Sequence, residues 1–460
     1  MYRPRPSHAV LAVVLAAAAA SAVFAPSVLG WKAAVTLAVV LVTLGLWATA
    51  LVPNYFASLL FFALIMIAGP YPASLVFSGF ASTAVWLIVS GFVIGAAIGA
   101  TGLNGRLARV IAPVLTGHYL HVVGGLMVTT MLLGFLMPSS VGRAVVMVPI
   151  GMAIADHCGF AKGSNGRVGI AATLAIGCNM PSFAILPSNI PNMILAGSAE
   201  TILGVHLTYA DYLLLHYPVL GIAKAAVTVA LIVWLFPARV GAPLAKEAPP
   251  PALAGAGAGR VVAVLLVTLA FWMTDALHGI NAAWVGLGAA VVLMAPGFGA
   301  VTPAGFRQSV DFGMLLFVAG ALALGAVVNA SGLGARLGGL LVSLLPLAPG
   351  HDFVNFVSLS VLAFATGLFT TVPSVPAVLT PMTEDLVRLT GLDVGTVLMT
   401  QVVGFSTVML PYQVGPLVVA MQLSGERLDR LVRATVPLAV VTLVALVPLD
   451  FLWWRLIGRF

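Results

Sequence analysis

Apolar stretches of about 20 residues follow one another along almost the whole chain, and this repetition constrains the fold more than any single motif. Each stretch is long enough to cross a hydrocarbon core about 30 Å thick. Inside such a core every backbone polar group must be satisfied within a helix or a closed barrel. The stretches do not alternate apolar and polar residues as barrel strands do, so the chain is expected to be all-α and polytopic. Of its 460 residues, 61% are hydrophobic and only 7% are charged, against roughly 25% charged in a soluble domain. So few charges could not cover a soluble surface, which argues against a soluble enzyme and makes the lipid bilayer the first partner. The net charge of +7 then reports orientation in the membrane rather than affinity for nucleic acid. Cys158 and Cys178 suggest no disulfide framework, and Cys178, within an apolar stretch, reads as a small core residue.

Arg3 and Arg5 precede an apolar run from Ala9 to Phe24, a pattern shared with signal peptides. Because many spans follow, residues 1–30 are taken as a first transmembrane helix. Further spans are expected at 31–52 and 55–68. The stretch from Ser82 to Leu115 is punctuated by Thr101-Gly102-Leu103-Asn104-Gly105. The segment His118 to His157 is too long for one span and is broken at Met137-Pro138-Ser139-Ser140-Val141-Gly142. Two short helices meeting at such a tip make a re-entrant hairpin. A span from about Arg167 is interrupted at Pro187-Ser188-Asn189-Ile190-Pro191-Asn192, and a helix from Tyr209 to Phe236 follows. Residues 238–259 are rich in Pro, Gly and Ala and read as an extramembrane linker.

The same punctuation then returns. Thr101-Gly102-Leu103 is matched by Ser331-Gly332-Leu333, and the first hairpin by Asp352 to Leu389 with its break at Thr370-Thr371-Val372-Pro373-Ser374. Pro149 is matched by Pro381, and Leu186-Pro187-Ser188-Asn189 by Leu410-Pro411-Tyr412-Gln413. The offsets are 230, 232 and 224 positions, which implies an internal duplication: a first repeat at 31–237 and a second at 260–460. With a cytoplasmic N-terminus, 13 of the 20 Lys and Arg residues fall on the cytoplasmic side with the linker, and 5 on the outer side. That obeys the positive-inside rule and fits a bacterial inner membrane. The odd number of elements per half makes the repeats inverted, with one hairpin entering from each side.

A helix broken within lipid leaves N–H and C=O groups that are tolerated only in a protein-lined or polar cavity. Helix N-termini there favour an anion, and unwound carbonyls and hydroxyls favour a cation. The candidate substrate-binding residues are Ser139, Ser140, Arg143, Asn189, Asn192, Thr371, Ser374 and Gln413. The candidate ion-binding residues are Ser139, Ser188, Thr370 and Tyr412. The plain alternative is a set of kinks filled by water or hydroxyls, which four breaks in symmetric order make a poor account. Arg143 is the sharpest of these residues, since a charge near the bilayer centre costs about 2.5–3.5 kcal/mol on insertion scales. Either carbonyls and cavity water satisfy it, or its guanidinium offers an anion fixed charge and bidentate hydrogen bonds. It could also stand where a coupling cation would otherwise lie. Asp156 with His157, Glu384 with Asp385, and Asp275 with His278 are expected to face water. Lys224 is expected to snorkel from the end of its span, and Gln401 to pair with backbone across helices. No Walker sequence marks an ATP-driven pump. No metal-ligand cluster or intramembrane catalytic set is visible, and no cofactor is expected beyond Na+ as a coupling ion.

These residues resemble the divalent-anion/sodium symporters, carriers of dicarboxylates, citrate or sulfate within a superfamily of inverted-repeat ion transporters. The resemblance covers about residues 30–455. It rests on Gly91-Phe92-Val93-Ile94-Gly95 leading to Thr101-Gly102-Leu103, on the Pro149 and Pro381 exit helices, and on the central linker. It implies a dimerising scaffold domain, a mobile transport domain built from hairpins and broken helices, and elevator motion coupled to sodium. The family's tips usually read Ser-Asn-Thr, with the Asn touching both substrate and sodium. Here they read Ser139-Ser140-Val141 and Thr371-Val372-Pro373, and the family's Gly-Thr-Pro-Pro-Asn break becomes Ser188-Asn189-Ile190-Pro191-Asn192. The architecture is therefore expected to carry over, while the substrate and the coupling ion are left open. A cation/proton antiporter or metalloid exporter of the same superfamily is the alternative function.

Overall fold

The computed structural model describes residues 6–49, 51–68, 71–103, 118–137, 139–241, 257–333 and 345–460. Asn104, Gly105 and Pro138, most of the central linker, and Gly334 onward in the second punctuation fall outside these residues. The described residues are helical throughout, with no strand among them. Six of their helices are long and apolar enough to cross a membrane, or seven if one bent pair counts as a span.

The first helices are α1 (Pro6–Phe24), α2 (Trp31–Thr49), α3 (Asn54–Ala68) and α4 (Thr83–Ala100). The hairpin arms are α5 (Tyr119–Leu136) and α6 (Ser140–His157). The broken helix is α7 (Asn165–Asn179) with α8 (Ile190–Leu203), and α9 (Tyr209–Leu235) ends the half. The second half repeats the order: α10 (Ala258–Met273), α11 (Ala282–Met294), α12 (Phe312–Ala330), hairpin arms α13 (Asp352–Phe369) and α14 (Ser374–Thr390), broken helix α15 (Val394–Phe405) with α16 (Gly415–Ser424), and α17 (Leu428–Leu456). Corresponding helices begin 227 residues apart at α2 and α10, 233 at α5 and α13, and 219 at α9 and α17. The two punctuation glycines agree: α4 and α12 each end just before a left-handed glycine, Gly102 at φ 63° and Gly332 at φ 71°, a backbone region open to glycine at no steric cost.

Two groups of helices emerge from the packing. α3 packs on α12, α4 on α11, and α10 on α11. The hairpins and broken helices form the second group, and they interlock. α16, from the second repeat, lies against α6 and α7 of the first; α8, from the first, lies against α12 and α14 of the second. Each broken helix therefore holds the other repeat's hairpin. α13 and α15 come so close that a Cβ on Gly404 would stand 2.3 Å from the Ser360 carbonyl oxygen. The two long closing helices also touch each other, and each contains a π-helical stretch: Tyr217–Ala223 in α9 and Thr442–Leu446 in α17.

Candidate functional site

At the first hairpin tip, Ser139 Oγ accepts from the Gly142 N–H at 3.0 Å and so caps α6. The facing break begins earlier than Pro187. α7 stops at Asn179 because Pro181 lacks the N–H needed to continue it, and 3-10 turns over Pro181–Ala184 and Leu186–Ser188 lead into α8. The proline signal was legible, but the longer Pro-Ser-Asn run downstream drew the assignment.

Arg143 lies between tip and break, with no exposed surface. Its Nε donates to Cys178 O at 3.0 Å, Nη1 to Ser188 Oγ at 2.9 Å and to Met137 O, and Nη2 to Ser140 Oγ at 2.9 Å and to Ser188 O at 3.3 Å. A guanidinium has five N–H donors, and all five are engaged. Cys178 is the penultimate residue of α7, so the charge sits at that helix's carboxyl end, where unpaired carbonyls and the macrodipole favour a cation. Among the described residues no carboxylate pairs with it. The expectation of bidentate substrate binding by Arg143 is corrected accordingly: no N–H remains to offer, and what the side chain contributes is fixed charge.

The neighbouring polar residues divide by role. Asn189 Nδ2 donates to Ser182 Oγ at 3.0 Å and to Asn179 O at 3.3 Å. Asn192 Nδ2 donates to Ser182 O, Phe183 O and Ile185 O within 3.3 Å, holding the 3-10 turns as a strut. Ser188 Oγ also donates to Gly134 O at 2.7 Å, joining break to entry arm. A cavity of about 50 Å³ opens here, bounded by Ser139, Ser140, Asn189, Pro416 and, from α4, Leu87 and Ile88; it has room for roughly four waters. Tip one, the first break and the start of α16 thus meet at one place.

The second tip does not reach this cavity. Gln413 staples it to its own break. Oε1 accepts from the N–H groups of Met409 at 2.9 Å and Leu410 at 2.7 Å, Nε2 donates to Gly367 O at 3.0 Å, and the Val372 N–H donates to Gln413 O at 3.1 Å. Thr371 and Ser374 share a hydroxyl hydrogen bond of 3.0 Å, Thr370 Oγ1 donates to Thr366 O at 2.7 Å, and the half-exposed Tyr412 donates to Leu368 O.

Two residues missed in the sequence, and two whose expected places are corrected, complete the picture. Ser182 and the buried Asn179 belong to the first break. Lys224 does not snorkel; it is buried, and its Nζ donates to Ser406 O at 2.7 Å. Ser406 follows directly on α15, so Lys224 stands at the carboxyl end of that helix as Arg143 stands at that of α7. A lone lysine inside a 27-residue apolar span was the available signal. Asp275 is likewise buried rather than facing water, because its carboxylate accepts from the Tyr209 and Ala210 N–H groups and caps α9. Gln401 accepts from the Thr380 hydroxyl at 3.5 Å instead of pairing with backbone. Asp156 and Asp385 form ion pairs with Arg167 and Arg388.

Comparison with known proteins follows this architecture. A relative from Cupriavidus necator, described only as a membrane protein, is 26% identical over 392 residues, which is 83% of this chain and 76% of the relative. The YdaH transporter of Alcanivorax borkumensis superposes with a TM-score of 0.55 at 18% identity, over 84% of this chain and 88% of that one. MtrF of Neisseria gonorrhoeae, described among antimetabolite efflux pumps, gives 0.57 at 13% identity, over 89% and 97%. At these identities the two structures establish the fold. The family described as the sodium:sulfate symporter transmembrane region matches residues 7–460, and the chain belongs to that family of membrane transporters.

Proposed function

We propose that the protein is a secondary active transporter of a small anion of the dicarboxylate, citrate or sulfate class, working by elevator motion of the hairpins and broken helices. The observation that carries this reading is that three helices begin at one cavity. Ser139 and Ser140 start α6, Asn189 precedes α8, and Pro416 lies in the first turn of α16. Neither α8 nor α16 has a side-chain cap, and although Pro191 and Pro416 carry no N–H, the first-turn N–H groups of Ile190, Asn192 and Gly415 are left for an anion. Arg143 adds a positive charge directly behind Ser140. Its surroundings, three carbonyls and two hydroxyls, are the neutral oxygen set that suits a bare monovalent cation. The guanidinium fills that set, so the first half-site takes no sodium. The remaining coupling ion is sodium at the second half-site or a proton. The scaffold helices form a homodimer in the bacterial inner membrane, with the N-terminus cytoplasmic and the repeats inverted.

Purified protein in proteoliposomes, scanned with labelled sulfate, succinate and citrate with and without sodium, tests this. Saturable uptake of one of them is expected. No uptake of any of the three overturns the anion reading. Full sodium dependence in the wild type, with unchanged substrate affinity in Arg143→Gln, overturns the role given to the charge.

A further inference from the structure

The long helices α9 and α17 bury ionisable groups that the anion cavity does not use. Asp450, on α17, has no exposed surface, and neither carboxylate oxygen has a hydrogen-bond partner among the described residues. Lys224 is a buried cation on α9, which packs against α17, yet no ion pair within 4.0 Å joins it to Asp450. Trp454, one turn on from Asp450, holds a buried Nε1 with no partner within 3.5 Å, and it is the donor placed to reach the carboxylate. His216 is fully buried beside it, with ring centroids 5.7 Å apart, an unpartnered Nδ1, and Nε2 3.4 Å from Met399 Sδ. Tyr212 stacks edge-on against His216 at 4.6 Å.

An ionised carboxylate with no donor and no contacting cation is among the costliest groups to bury. A neutral carboxyl in the same place costs far less. Lys224, in turn, already lies on the Ser406 carbonyl at the end of α15. Both groups lie beyond π-helical segments, which are over-represented at functional sites because the extra residue re-aims the side chains that follow. Ionisable residues inside membrane spans mark proton and ion pathways by default.

We propose that Asp450 is a proton-binding site that supplies the coupling ion of the second repeat. Protonation forms one O–H bond on the Asp450 carboxylate, takes one proton from solution, and raises the charge at Asp450 from minus one to zero. Lys224 donates to Ser406 O and does not itself bind the arriving proton, so it is a positioning residue. The coupling role rests on the anion-transport reading; the proton site itself does not.

Infrared difference spectroscopy of the lipid-reconstituted protein, titrated between about pH 5 and 9, tests the site without any substrate. A protonated-carboxyl band should titrate in the wild type, vanish in Asp450→Asn, and return at a shifted frequency in Asp450→Glu. Lys224→Gln should move its midpoint. A wild-type titration without that band, or a band that persists in Asp450→Asn, overturns the proposal even if sulfate or succinate is transported. A titrating Asp450 in a protein that carries none of sulfate, succinate and citrate leaves the site standing and overturns the anion reading instead. Where a probe is carried, an inward proton gradient without sodium should drive its accumulation. Asp450→Asn should reduce that accumulation by roughly tenfold or more, within the usual range of a coupling free energy; unaltered accumulation overturns the coupling role.

Discussion

The two broken helices end in the same situation and meet it with different cations. At α7 the carboxyl end is closed by Arg143, a planar group spread over five acceptors from the tip, α6 and the break. At α15 it is closed by Lys224, which reaches Ser406 O from a separate helix through one hydrogen bond. Guanidinium does not release its proton in a protein, and ammonium is a compact point charge that leaves most of its surroundings unfilled. The first end is therefore locked, with tip and break tied into one unit. The second keeps freedom around its cation, and its tip is held by an uncharged staple, Gln413.

Replacing the lock should have the largest effect. Arg143→Met leaves the carbonyls of Met137, Cys178 and Ser188 without their donor. At about 1–3 kcal/mol for each orphaned buried group, the loss is at least about 3 kcal/mol, visible as a lowered thermal midpoint in detergent. An unchanged midpoint would mean that water fills the gap and that the lock is not structural. Arg143→Thr sharpens the same contrast. It empties the oxygen set without filling it, so sodium should now stabilise the protein, by about 2.7 kcal/mol at a hundred times its dissociation constant. The wild type should give no such shift at this half-site, and a variant indifferent to sodium would remove the argument that the oxygens form a cation cage.

The packing beneath each break offers a smaller, paired test. A Cβ on Gly404 meets the Ser360 backbone oxygen at 2.3 Å, whereas one on Gly177 meets the Thr130 hydroxyl at the same 2.3 Å. Backbone cannot step aside and a hydroxyl can rotate. Gly404→Ala should cost about 1–3 kcal/mol, as overpacking does, and Gly177→Ala less; thermal unfolding of the two variants side by side decides it, and the reverse order would refute the distinction. Tyr412→Phe should have the smallest effect. It removes one half-exposed hydrogen bond to Leu368 O, worth about 0.5–1.5 kcal/mol at most, and a larger loss in uptake than in stability would give the hydroxyl a place in transport.

Much of the scaffold could be read from the residues because breaks in lipid demand special sequence. Proline and glycine cannot be hidden inside an apolar run, so Pro149 and Pro381, Gly102 and Gly332, and the two tips announced the duplication. Direction was harder to read than existence. Pro181 ended α7 two turns before the denser Pro187–Asn192 cluster, and nothing in a one-dimensional pattern ranks two adjacent break signals. A lone lysine in an apolar span usually reaches an end, so the pattern alone puts Lys224 near water. The π-helical residues before it change the helical phase, so a regular 3.6-residue count does not give the face it occupies. The partners of Arg143 come from Met137, Cys178 and Ser188, three positions far apart in sequence, and only folding makes them one cage.

That no carboxylate among the described residues pairs with Arg143 has an electrical consequence. A guanidinium solvated only by neutral oxygens keeps its whole charge wherever its helix travels. Each elementary charge carried across the full membrane potential is worth about 2.3 kcal/mol per 100 mV. If α6 and α7 travel as a unit, an unloaded carrier is pulled toward the negative, cytoplasmic face. An anion in the adjoining cavity cancels part or all of that pull. Voltage would then sort the empty from the loaded protein, drawing one inward and releasing the other, through a charge that makes no contact with the cargo.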